Sequence, residues 1–146
     1  MKNFLILAFS ALAIFSCKEL EDPNELKMPQ QWTLIGYKSA WLANPPLEPI
    51  SDTTYNYRLE ADGSFIKNIG KYRLSGTWEL EIGLEEQKWI TLAYDKASIE
   101  LDEDQGSWGL IHYCGQTFEP FTILDSDTVV GSWGECDGPY LYFKKR

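Results

Sequence analysis

The chain reads as all-β: an antiparallel meander of about 8–10 short strands closing into a small barrel. Three observations predict this. From Gln31 onward, segments of period-two hydrophobicity alternate with turn signals. No amphipathic helix of ten or more residues and no internal repeat interrupts them. Aromatic residues are abundant, with 6 Trp, 8 Tyr and 7 Phe in 146 residues, and such side chains fill or line a narrow barrel. A chain of this length suits one domain, because a second core would need more residues than remain.

The clearest strand is KYRLSGTWELEI at 71–82. Tyr72, Leu74, Gly76, Trp78, Leu80 and Ile82 fall on one face, and Lys71, Arg73, Ser75, Thr77, Glu79 and Glu81 on the other. One buried face and one wet face follow from that alternation. Gly76 lets so long a strand bend. Further strands are expected at 32–38, 54–61, 64–69, 88–94, 97–101, 108–114, 117–124, 128–134 and 139–144. Asp62-Gly63 marks a tight hairpin, since both residues tolerate a positive φ; Asp125-Ser126-Asp127 marks a second turn. Closure into a barrel removes the exposed sheet edges that a sandwich would leave.

The amino terminus has a different character. MKNFLILAFSALAIFS, residues 1–16, carries one early lysine and then an apolar run from Phe4 to Phe15 broken only by Ser10. That is the layout of a signal peptide, and at about 12 residues the run is short of the roughly 20 that span a bilayer. A buried N-terminal helix is the alternative. Ile14-Phe15-Ser16-Cys17 resembles the lipobox of bacterial lipoproteins, with a small residue directly before the cysteine. The resemblance implies cleavage before Cys17, a lipid-modified thiol carrying palmitate-type acyl chains, and stable anchoring by two or three chains. Lys18, Glu19, Leu20, Glu21 and Asp22 resemble the charged signal that exports such lipoproteins to the cell surface, which places the protein at the outer membrane. A solvated tether would have the same composition. Residues 17–31, with Pro23 and Pro29, read as that tether, and 32–146 as the folded domain.

Formal net charge is −9, and removal of residues 1–16 takes away one further cation, Lys2. Such acidity argues against nucleic acid as a partner, since affinity there rests on Lys and Arg neutralising phosphates. It argues equally against adhesion to anionic lipid.

Within the folded part the chain resembles the small lipocalin-like domains of bacterial surface lipoproteins. The resemblance is carried by Trp32, by DGSF at 62–65, SGTWEL at 75–80, FTILDSDTVVGSW at 121–133 and DGPYLYFKK at 137–145, and spans nearly all of 31–146. It implies a lipocalin-like barrel that binds a small molecule.

Few residues carry chemistry of their own. With Cys17 assigned to lipid, Cys114 and Cys136 form an even pair, which in an exported domain reads as a disulfide; two free buried thiols are the alternative. One His and no CxxC spacing argue against a metal site. His112, in GLIHYC, lacks a nucleophile elbow and reads as structural. The acidic run Glu100, Asp102, Glu103, Asp104 lacks the EF-hand acids at later positions and reads as a solvated hairpin tip. No catalytic residue, cofactor or enzyme activity is expected. The aromatic excess points instead to binding, with Tyr55, Tyr57, Trp78, Tyr140 and Tyr142 as candidate ligand residues for a small hydrophobic ligand. A filled core is the alternative, with a protein partner engaged through exposed aromatics such as Trp41 or Trp108.

Overall fold

The computed structural model describes residues 26–51, 54–106 and 109–146. Residues 1–16, Cys17, most of the expected tether and Trp108 lie outside the described residues. Nine strands run in order: β1 (Gln30–Lys38), β2 (Glu48–Pro49), β3 (Asn56–Leu59), β4 (Ser64–Ile69), β5 (Tyr72–Ile82), β6 (Lys88–Tyr94), β7 (Phe118–Asp125), β8 (Thr128–Gly131) and β9 (Tyr140–Lys145). Sequential neighbours from β3 to β9 pair antiparallel, and β1 pairs with both β3 and β9. Eight strands therefore close into a barrel, with β2 an extra two-residue strand against the end of β1. This architecture is compatible with a lipocalin-like fold.

The alternation in the sequence sets which side chains enter the barrel. Trp32, Leu34, Tyr57, Leu59, Phe65, Leu74, Ile90, Leu92, Phe121, Val129, Leu141 and Phe143 are all buried in one cluster. Each buried side chain of this size stabilises by about 1.5–3 kcal/mol relative to exposure. Leu26 and Met28 pack against the same cluster, and β1 begins at Gln30. The first strand thus begins two residues before the expected position 32. Among the described residues, the β1–β9 ladder closes the barrel around this core.

Hairpins join neighbouring strands at one end of the barrel. In the β3–β4 turn Gly63 has φ 83°, and Asp62 Oδ1 accepts from the Ser64 amide and hydroxyl at 2.9 and 2.6 Å. At Gly76 the backbones of β5 and β6 come so close that a Cβ would overlap the Ala93 carbonyl oxygen. Glycine is needed there for approach more than for bending.

Two expected strands are absent. Residues 97–101 lie instead in a helix, α1 (Lys96–Glu103). Asp95 caps it by accepting from the Ser98 amide at 2.8 Å, and the Ser98 hydroxyl fastens it to β5 through both backbone groups of Ser75. Residues 109–114 form no strand; they are a loop that turns Leu110 and Ile111 into the far end of the barrel. The acidic run is therefore the last turns of α1 and not a hairpin tip. Within it, Asp102 accepts from the amides of Leu110 and Ile111, the latter at 2.7 Å, and so holds the plug.

Candidate functional site: a buried ion pair beneath a plugged barrel end

Period-two alternation places two charged residues on the inward face. Lys67 follows Phe65 on β4, and Glu119 precedes Phe121 on β7. Their side chains are 0% and 3% exposed and meet at 2.7 Å. Three further donors converge on the carboxylate. Tyr57 and Tyr94 donate to Glu119 Oε2 at 2.7 and 2.6 Å, and the His112 amide donates to Oε1 at 2.5 Å. The Lys67 ammonium also donates to the Leu110 carbonyl. It sits 5.2, 5.2 and 5.7 Å from the ring centroids of Tyr55, Tyr57 and Tyr94, a cation held among aromatic faces.

Burial dominates the electrostatics. It lowers the Lys67 ammonium from its ordinary value, against the pull of Glu119. Burial alone would raise the Glu119 carboxyl, yet the Lys67 charge and the hydrogen bonds from Lys67 and the His112 amide outweigh it and hold the group below the usual glutamate range. The carboxylate is therefore ionised at neutral pH. Burial, followed by repulsion from the Glu119 charge, pushes Tyr55, Tyr57 and Tyr94 well above the ordinary phenol value.

His112 links the cluster to the barrel end. Its Nδ1 lies 2.7 Å from the Tyr55 hydroxyl, which lies 3.2 Å from that of Tyr57. Its ring stacks on Trp133 at 4.1 Å and 8°. Burial and then the Lys67 charge lower its pKa to about 3, so it is a neutral imidazole at physiological pH. Outside it, a crevice of about 310 Å³ is lined by His112, Trp133, Asp102 and the cystine. The disulfide joins Cys114 to Cys136, tying the plug to the 3-10 turn Ser132–Cys136. The expected pairing is present.

The five candidate ligand residues separate into three places. Tyr55 and Tyr57 are in the interior, bonded into the ion-pair network. Trp78 is half-buried at the hairpin end, where its indole donates to the Glu60 carbonyl at 2.9 Å. Tyr140 and Tyr142 share a face, but Leu141 and Phe143 take the inward positions of β9. Tyr142 instead lies beneath the Lys38 ammonium at 5.0 Å, and the Tyr140 ring covers Gly134.

Lys67 and Glu119 were overlooked as sequence features, although the signal was there. Each is a charged residue at a period-two position of an otherwise apolar stripe, Phe65-Lys67-Ile69 and Glu119-Phe121-Ile123.

The middle of the barrel is solid. Tyr57, Phe65, Lys67, Leu74, Leu92 and Phe143 are at most 2% exposed, so these side chains are packed against one another with little access for water. Tyr57, Phe121 and Phe143 interlock edge to face at 5.1–5.6 Å. No family model matches this chain, and neither does any curated protein or solved structure.

Proposed function

We propose that the chain is a non-enzymatic binding module, tethered to the outer membrane by lipid on Cys17, that engages a protein partner outside its packed barrel. The observation that carries this reading is the filled interior. A hydrophobic ligand lodged among Tyr55 and Tyr57 would have to displace a buried ion pair, and breaking such a pair costs about 3–5 kcal/mol. The alternative expected from sequence, a partner met through exposed aromatics, needs no such displacement.

Support for a partner surface comes from the loop between β1 and β2. Trp41 and Leu42 are 74% and 63% exposed there. Tryptophan is the residue most enriched among interface anchors. This loop leaves β1 at the end of the barrel opposite the amino-terminal entry, so a tether from Cys17 would direct it away from the lipid surface. The Lys67–Glu119 pair, though perturbed in the way catalytic groups often are, is shut from solvent and offers no place for a substrate.

Two measurements test the reading. Metabolic labelling with an alkynyl fatty acid should mark the chain, and Cys17→Ser should abolish the label. Benzoylphenylalanine in place of Trp41 should give one discrete photo-crosslinked adduct in intact cells. Crosslinks no stronger than those from a distant surface position would remove the partner reading.

A further inference from the structure

The hairpin end of the barrel holds a second feature that the ion pair does not explain. Antiparallel alternation brings together there the first residues of β1 and β6 and the last residues of β7 and β9. They enclose a pocket of about 340 Å³, within the size range of small-molecule sites. Its apolar wall comes from Leu26, Trp32 and Ile123, and its charged wall includes Lys88 and Lys145. Lys27 also lines it, with Asp125 as the sole carboxylate of the lining. A net positive rim is an inversion of sign on a chain of net charge −9.

The wall also carries unmet hydrogen-bonding capacity. Gln30 and Trp32 both line the pocket and are each 3% exposed. Among the described residues, the Gln30 side-chain oxygen and the Trp32 indole nitrogen have no hydrogen-bond partner. Buried groups left unpaired are rare in folded proteins and cost about 1–3 kcal/mol each. Nothing in the strand ladder demands them, since Trp32 pairs with Tyr57 and Lys145 through its backbone.

We propose that this pocket binds a small amphipathic anion, a carboxylate or phosphate head on a short alkyl body. The head lies between Lys88 and Lys145. The body covers Leu26, Trp32 and Ile123, and a small shift of the indole presents its N–H to an oxygen of the head. The aliphatic stems of the two lysines add to the apolar contact while their ammonium groups meet the anion. Free amphiphiles and membrane lipids share this chemistry. The lining residues named lie within the described stretch 26–146, and the proposal does not depend on lipid at Cys17 or on the Trp41 loop.

The test uses the full chain carrying Cys17→Ser, so that no acyl chain competes for the site, with octanoate and octyl phosphate below their micellar concentrations and octanol as the uncharged control. Calorimetry should show saturable 1:1 binding of at least one anion, at least tenfold tighter than octanol. The double variant Lys88→Gln/Lys145→Gln, checked for an unchanged circular dichroism spectrum, should lose about tenfold or more. In a parallel arm, cosedimentation with phosphatidylcholine vesicles containing phosphatidylglycerol, lost in the same variant, identifies a membrane lipid as the source. Binding in neither arm, or binding that the double variant leaves unchanged, overturns the assignment.

Discussion

Lys67 Nζ and Glu119 Oε1 meet at 2.7 Å in the centre of the barrel, with both side chains out of reach of solvent. A pair in that position contributes little net stability compared with a well-packed apolar pair, but it is costly to break from one side. Lys67→Met and Glu119→Gln should each destabilise the fold by about 3–5 kcal/mol in urea unfolding. The double variant should recover a large part of the loss. Additive single effects would show that the two residues do not interact.

His112 makes the fold acid-sensitive above the range of carboxylate titration. Its pKa is about 3 when folded and about 6.5 when unfolded. Above pH 6.5 both states are neutral and His112 contributes no pH dependence. As pH falls from 6.5 toward 3 the unfolded chain takes a proton that the folded chain refuses. Stability should then fall by at most about 1.4 kcal/mol per pH unit. Asp62, Asp95, Asp125 and Glu119 are all lowered, so their losses begin lower, below about pH 4.5. Unfolding curves between pH 6.5 and 4.5 should therefore slope in the wild type and flatten in His112→Phe.

Three of the 8 tyrosines should be silent in an alkaline absorbance titration. Tyr55, Tyr57 and Tyr94 are buried beside the Glu119 charge. Their phenolate absorbance should appear only as the barrel unfolds, as a cooperative step. Smooth titration of all eight near pH 10 would mean that water reaches the interior.

Gly76→Ala should cost about 1–3 kcal/mol, the range for overpacking a close contact. The added methyl would meet the Ala93 carbonyl oxygen and the Phe65 ring. Thermal unfolding would register the loss, whereas Gly63→Asn should be milder, because asparagine tolerates the positive φ of that turn.

How much of this was legible beforehand depended on whether one signal or two governed a segment. β4 and β6 match their expected spans because alternation and turn residues agree. At 97–101, Ala97, Ile99 and Leu101 also alternate, and the sequence read as a strand. The Asp95 cap and the Ser98–Ser75 bonds decide for helix, and neither can be weighed without knowing that β5 lies alongside. GLIHYC is apolar enough for a strand, yet its amides go to Asp102 and Glu119, carboxylates supplied by the flanking elements α1 and β7. The cystine was legible from the cysteine count once Cys17 was set apart as the lipobox residue. Tyr140 and Tyr142 were correctly placed on a common face, but which face turns inward depends on Phe143 packing against Tyr55, Tyr57 and Phe121.

The most direct measurement is the carboxyl ¹³C shift of Glu119 followed from pH 7 to pH 3. A dry, filled barrel closed over an ion pair predicts an ionised carboxylate that takes its proton below the ordinary glutamate range. A Glu119 carboxyl protonated near neutral pH would contradict the account, because the ion pair would then be absent and the interior free to accept something else.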